Sequence, residues 1–421
     1  MVVADLAGKT VAMAVSGGLD SLTITRWLVE NGVEVVALTA DLGQPDEKNI
    51  NDVPDRMKIA GAAEAVVVDA RDDLVRSGLE LIQCQACYEG GYWNTTGIAR
   101  HVTVQALLPE VKRRGLKVLG HGATGRGNDQ VRFQLVTNML APDIEVYAPW
   151  RDGEFLALFP GRREMIAYCQ REKIPVRATL DKPYSTDANL LGLTHEAGKL
   201  EELDTPAQFV QPEMGVYPQD APDGPRRVSV RFEAGVPVAI DGCAVALIEV
   251  FARANAVAGQ HGIGIGRHVV ENRFVGIKSR GVYEAPGMEL LGACYAYLQE
   301  LILDRRARSV FEYLSKQLAQ QVYEGYWFDL ASQAVRQAVA EFTLLMSGTI
   351  TVDMYKGNIA YVSVCEVPHS LYSDAASMEG VGEFDHRDSE GFLGVLGVSA
   401  RALSAKGQIR SIRDDRSHHS G

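Results

Sequence analysis

The sequence predicts an α/β protein whose first part is a mostly parallel sheet and whose later part is mixed α+β. Two observations carry this. Strand-like apolar runs alternate with helical patterns through the first 150 residues, and beyond about residue 180 the pattern changes to alternating, hairpin-like segments mixed with helices.

The strand-like runs span 11–15, 33–38, 65–68, 117–119 and 144–148. Helical patterns fill the gaps between the first four, at 19–30, 46–61, 72–83 and 98–114. Alternation of this kind forces right-handed crossovers and a parallel sheet covered on both faces. Ligands in such sheets sit at the carboxyl ends of the strands. Further on, "PEMGVYPQDAPDGPRRVSVRF" is rich in Pro and Gly and reads as an excursion between domains or a surface loop. "RRVSVRFEAGVPVAI" alternates like an antiparallel hairpin with a glycine-containing turn. Residues 289–323 carry apolar side chains at helical spacing, with "DRRAR" as a solvated or subunit-facing surface. "GFLGVLGVSARALSAKGQI" is too apolar for a free tail, whereas "SHHSG" at the end reads as disordered.

Composition excludes several classes. The 421 residues include 42 basic and 54 acidic side chains, a net charge of -12, which argues against broad nucleic-acid binding. No run approaches the roughly 20 apolar residues of a spanning helix, and the first residues do not read as a secretory signal. The expectation is a soluble, cytoplasmic protein with no membrane partner. Among the six cysteines, Cys84 and Cys87 form one CxxC without a second ligand pair, which favours reduced structural thiols over zinc or redox chemistry.

The first strand runs into "AVSGGLDSL", residues 14–22. Gly17 and Gly18 allow positive φ and close approach of main-chain amides to a ligand. Ser16 and Ser21 add hydroxyls, and the following helix directs its positive end at the same spot. This is an anion cradle, although without the lysine of a GxxxxGK[ST] loop. A glycine turn that binds nothing is the bland alternative.

"SGGLDS" resembles the signature of the PP-loop, or N-type ATP pyrophosphatase, superfamily. There the loop holds the pyrophosphate of ATP while AMP is transferred, so a γ-directed lysine is dispensable. "LTADLGQPDE" (38–47), "GHGATGRGNDQVRF" (120–133), "KPYSTDANLLGLTHEAGKLE" (182–201) and "VENRFVGIKSRGVYEAPG" (270–287) extend the likeness. Together they resemble the argininosuccinate synthase family along nearly the whole chain. Gly120, Gly122 and Gly125 also spell GxGxxG, but a dinucleotide fingerprint belongs after the first strand, not the fourth. The block reads instead as a second polar loop.

The resemblance implies an adenine nucleotide alpha hydrolase-like, nucleotide-binding domain over 1–178. A synthetase domain over 179–370 and an oligomerisation segment with a disordered tail over 371–421 would follow. It implies that Ala14, Val15, Ser16, Gly17, Gly18, Leu19, Asp20, Ser21, Leu22, Ala40, Gly122 and Asp187 surround ATP. Tyr92, Asn128, Arg132, Ser185, Thr194, Glu196, Glu271 and Tyr283 would bind citrulline, and Thr124, Asn128 and Asp129 would bind aspartate. Ser16, Asp20, Asn128 and Asp129 are the expected catalytic set. Mg²⁺ is expected on the triphosphate with no dedicated protein metal site, and His121 and Asp129 are candidate general bases. A homotetramer is the expected assembly.

Three departures from the family stand out. Val15 replaces a frequent aromatic, Ser21-Leu22 stands where Thr-Ser is usual, and Gly97 lies where the shorter branch has a serine near citrulline. Other readings are a tRNA-modifying PP-loop enzyme, a ligase for another ureido-like acceptor, and a non-catalytic nucleotide-binding scaffold.

Overall fold

A computed structural model of the chain describes residues 1–176, 184–373 and 385–409. It divides into two compact units, residues 1–369 and 370–421. The expected domain boundary at 178/179 and the "SHHSG" tail lie outside the described residues.

The first unit opens with β1 (Thr10–Ala14), α1 (Leu19–Glu30), β2 (Glu34–Asp41), α2 (Val53–Ile59), β3 (Glu64–Asp69), α3 (Arg71–Gln83), α4 (Thr95–Arg113), β4 (Val118–His121), α5 (Asp129–Leu140) and β5 (Glu145–Tyr147). The five strands make one parallel sheet in the order β3-β2-β1-β4-β5. The two-residue period of the strands explains why the sheet is covered on both sides. Val11, Met13, Val35 and Ala37 enter one apolar cluster, while Ala12, Val36 and Leu38 enter another. Strand order reverses between β1 and β4, which opens a crevice at their carboxyl ends.

Two local expectations change. The helix expected over 46–61 is confined to α2, behind a 3-10 turn at Ile50–Asp52. Pro54 lies in the first turn of α2, where its missing N–H costs nothing, so the helix cannot extend upstream through it. Helix α5 occupies what reads as the end of a polar loop. Its buried stripe is Arg132, Phe133, Val136 and Thr137, so two of four inward positions are polar and no apolar period shows.

Beyond the sheet come α6 (Gly153–Leu158), α7 (Arg162–Arg171), β6 (Ser185–Asn189), β7 (Gly192–Glu196), β8 (Arg226–Glu233), β9 (Val236–Ile240), β10 (Cys243–Ala244), α8 (Leu247–Gln260), β11 (Arg267–Asn272) and β12 (Lys278–Glu284). They continue into α9 (Pro286–Ile302), α10 (Arg305–Glu324), α11 (Leu330–Thr343), β13 (Gly348–Tyr355) and β14 (Asn358–Cys365). One antiparallel sheet has the order β10-β9-β8-β13-β14, and another β11-β12-β7-β6. The expected hairpin is β8–β9, turning through Ala234 and Gly235, both at positive φ. The single helical pattern at 289–323 is two helices. Asp304 separates them by accepting the Ala307 N–H at 2.8 Å and starting α10.

Sheet β11-β12-β7-β6 is fastened at its far side by a buried pair. His195 and Glu284 lie 2.6 Å apart, and Glu284 also accepts the main-chain N–H groups of Glu213 and Met214. Because side chains alternate across a strand, anchoring His195 there turns its neighbours Thr194 and Glu196 the other way. The second unit contains α12 (His386–Ala405), capped by Asp385. Within that unit Phe392, Leu393, Val395, Leu396 and Val398 are exposed.

Candidate active site

The crevice at the β1/β4 reversal widens into a cavity of about 1600 Å³. Its wall contains every residue expected to bind ATP, citrulline or aspartate, together with several others, but not the candidate base His121.

The turn after β1 is held from inside. Ser16 donates its main-chain N–H to the Ser21 hydroxyl at 3.0 Å, and Val15 donates to the Leu38 carbonyl at 3.0 Å. Gly18 is the N-cap of helix α1, and its carbonyl accepts from Leu22. Gly17 sits at φ +73°, and a Cβ there would lie 2.9 Å from Val53 Cγ1 and 3.2 Å from Arg56 Nη2. Both the dihedral and the space therefore demand glycine. Asp20 stands in the first turn of α1, where burial raises its carboxyl above the ordinary range. Leu22 is buried in the core behind the turn, so the departure there removes a hydroxyl without opening a void.

The turn after β2 also reaches the cavity. Ala40 lies in its wall, and Gln44 closes the turn by donating to the Ala40 carbonyl and accepting from Leu42 N–H.

The loop after β4 faces the β1 turn. A Cβ on Gly122 would lie 3.3 Å from Ile24 Cδ1, and one on Gly120 would strike Met13. These glycines let β4 and its loop pack close to β1 and α1. His121 is buried, stacks on Phe133 at 4.7 Å and accepts the Ala123 N–H through Nδ1 at 3.2 Å. Burial, followed by the Arg151 charge, pulls its pKa down to about 3. Buried outside the cavity wall and with its basicity lowered, it is a weak proton acceptor. Thr124 lines the cavity, and Asn128 accepts the Phe274 N–H at 3.1 Å from the β11–β12 turn.

Four charged groups form the cavity floor. Asp129 takes Arg100 Nε at 3.0 Å and Arg132 Nη1 at 2.7 Å, and Arg100 also pairs with Asp187. Burial alone would raise the Asp129 carboxyl, but the two guanidiniums hold it below its ordinary range. Asp187 shifts the other way: burial raises it despite Arg100, and Asp129 adds to the rise. Glu196, across from Ser185 in the β6–β7 ladder, reaches the open mouth of the cavity. Crowding by surrounding protein, then the charges of Asp129 and Asp187, push its carboxyl up to about 7.

An aromatic pocket adjoins this floor. Tyr92 and Tyr283 lie 4.4 Å apart, and Tyr88 stacks on Tyr323 at 3.8 Å. Glu271, 5% exposed, accepts at Oε1 from Tyr283, Tyr323 and Ser279, at 3.0 to 3.3 Å. Its Oε2 is buried with no partner among the described residues. One oxygen is saturated and the other is available to a donor brought by a ligand. Arg132 donates Nε to the Tyr323 carbonyl at 2.9 Å, and Thr96 pairs with Thr194 at 2.8 Å. A Cβ at Gly97 would meet Arg132 Cζ at 3.6 Å, an ordinary contact, so packing does not require glycine there.

Arg100, Thr96 and Tyr323 escape a reading by motif. Arg100 and Thr96 are one turn apart on α4 and look like ordinary helix residues, and Tyr323 arrives from α10, far along the chain. The Cys84 and Cys87 thiols are free, and burial pushes both upward. Among the described residues no group of three or more His, Cys, Asp or Glu side chains is placed to hold a metal ion.

Residues 10–175 match the family description "Arginosuccinate synthase N-terminal HUP domain", and residues 184–403 match "Arginosuccinate synthase C-terminal domain". An argininosuccinate synthase of Rhodopirellula baltica is 42% identical over 396 residues, covering 93% of this chain and 97% of that protein. One from Thermotoga maritima is 36% identical over 96% of this chain and 100% of its own. The chloroplastic enzyme of Arabidopsis thaliana is 38% identical over 93% and 78%.

Gly17→Ala and Gly32→Ala separate dihedral strain from steric contact. Both glycines sit at φ +73°, but nothing lies within 4 Å of a Cβ at Gly32. Urea unfolding should show a loss of about 1 kcal/mol for Gly32→Ala, from the left-handed dihedral. Gly17→Ala should lose about 2–3 kcal/mol, because overpacking is added. Equal losses would mean that α2 does not press on the loop.

Proposed function

The chain belongs to the argininosuccinate synthase family, and from that premise we propose that it joins citrulline to aspartate, spending ATP as AMP and pyrophosphate, in arginine biosynthesis. The observation that carries this is a shared cavity, in which a lysine-free anion cradle opens onto two sets of groups suited to amino-acid heads.

The residues divide by chemistry. The main-chain amides of Gly17 to Ser21 and the Ser16 and Ser21 hydroxyls suit the phosphates of ATP, with Ala40 and Gly122 flanking the nucleoside. Citrulline takes the Tyr92, Tyr283 and Glu271 pocket, where Arg132 offers a guanidinium to its carboxylate and Glu196 a carboxylate to its ammonium. Ser185 and Thr194 add hydroxyls on the same wall. Aspartate sits between Thr124, Asn128 and Asp129, and Asn128 borders both amino acids. Asp187 closes the nucleotide side through Arg100.

A ureido carbon is a poor electrophile and its oxygen a poor leaving group. The ureido oxygen therefore bonds to the α-phosphorus of ATP, and the bond from that phosphorus to the pyrophosphate oxygen breaks. The aspartate amine then displaces AMP from the activated carbon. Positioning and charge stabilisation are the protein's share. Asp129, held ionised between two arginines, is a weak proton acceptor, and its part is to orient the amine.

Asp20 is a single carboxyl in the cradle, which fits a Mg²⁺ that keeps most of its ligands from phosphate oxygens and water. Bound there, the ion would neutralise phosphate charge.

Release of AMP and pyrophosphate from ATP and aspartate should require citrulline. Turnover indifferent to citrulline would defeat the substrate assignment and favour another ureido-like acceptor. Glu196 predicts a pH dependence. Its carboxyl is raised to about 7, so the charged form that holds an ammonium is present above that pH and lost below it. KM for citrulline should rise about tenfold between pH 8 and pH 6 and be flat above 8, as expected one unit below a pKa. In Glu196→Gln the value should be high and independent of pH; a retained slope would assign the titration elsewhere.

No helix of the described residues is long and apolar enough to cross a membrane, and a cytoplasmic enzyme is the reading we adopt. The exposed apolar side chains of α12 suit packing between copies in a homotetramer. Light scattering after size exclusion should give four chains; a monomer would refute it.

A further inference from the structure

The cradle leaves a charge problem. Its amides and hydroxyls are neutral, its only ionisable side chain is Asp20, and a nucleoside triphosphate brings about four negative charges. A countercharge must come from outside the loop.

Most cations in the cavity wall are already committed. Arg56, under Gly17, is paired with Glu47 at 2.5 Å. Arg100 and Arg132 are paired with Asp129 and Asp187. Arg151 donates to the Gln134 side chain at 3.2 Å. Arg280 is spent on main-chain carbonyls and His268.

Three cations of the wall, Arg126, Arg162 and Arg273, have no side-chain partner among the described residues; Arg126 is exposed, and of the other two only Arg162 holds a buried nitrogen without a partner. It is the first residue of α7, half-buried, and lines the same cavity as the loop. Among the described residues it has neither an ion-pair partner nor a hydrogen-bond acceptor, and its Nε is buried without one. It is also near enough to Asp20 for its charge to act on that carboxyl. A guanidinium held in a cavity wall with no bonded carboxylate loses hydration with little compensation. Its planar fork matches two phosphate oxygens.

We propose that Arg162 binds the β- and γ-phosphates of ATP and stays with the pyrophosphate as it departs, taking the place of the lysine that the loop lacks. This rests on ATP occupying the cradle. When the ureido oxygen bonds to the α-phosphorus, the electron pair of the breaking P–O bond goes to the pyrophosphate oxygen. The negative charge on the leaving group grows in that step, and Arg162 meets it without a proton transfer.

Steady-state kinetics of Arg162→Gln and Arg162→Lys, with pyrophosphate as product inhibitor, test the assignment. In Arg162→Gln, kcat should fall about 100-fold, as for loss of one charge-stabilising donor. Inhibition by pyrophosphate should weaken at least tenfold, while KM for citrulline and aspartate stays within twofold. Arg162→Lys should recover part of both losses. Unchanged pyrophosphate inhibition in Arg162→Gln would overturn the proposal while leaving the ligase reading intact. So would an equal rise in all three KM values, the mark of a merely structural role. Wild-type enzyme that forms ADP instead of AMP would overturn both, and the wild-type assay alone reveals that case.

Discussion

The reversal of strand order between β1 and β4 is the constraint on which the site depends. Two parallel strands that lie side by side, but are followed by helices on opposite faces, cannot both have their exits covered. The β1 turn and the β4 loop are left facing one crevice, and main-chain amides at both exits remain unpaired by the sheet. Glycines at 17, 120 and 122 keep these segments close enough to share a ligand. Everything else in the cavity is arranged around that opening.

Charge is distributed unevenly within it. The floor is a chain of Asp187, Arg100, Asp129 and Arg132 whose charges are mutually satisfied. Among the groups left unsatisfied are two of opposite charge: the Oε2 of Glu271, set among tyrosines, and the guanidinium of Arg162, set beside the phosphate cradle. One awaits a donor and the other an anion. A buried polar group without a partner costs stability, so such groups mark where a ligand completes the network.

The antiparallel sheet β11-β12-β7-β6 contributes through alternation. Thr194 and Glu196 face the cavity because His195, between them, is tied to Glu284 on the other side. Glu271 and Tyr283 sit on neighbouring strands of that sheet and meet at hydrogen-bond distance. Helix α10 then places Tyr323 against both Glu271 and Arg132, joining two otherwise separate walls.

Much of this was legible in the sequence. The parallel sheet announced itself because strands buried on both faces read as continuous apolar runs. The cradle was visible because glycine and hydroxyl residues at a strand exit have few other uses. The motif residues were traceable because they cluster within short segments. Helix α5 was hidden because its inward face carries Arg132 and Thr137, and α2 was overextended because Pro54 permits a helix start but not its passage. Only the tertiary structure could show which arginines are already paired. Arg56, Arg100 and Arg162 are alike as letters in a chain; whether each meets a carboxylate depends on how the chain folds back, by nine positions to Glu47 for Arg56 and by 29 and 87 to Asp129 and Asp187 for Arg100. That pairing, which local propensity does not encode, decides which cations are left for a ligand.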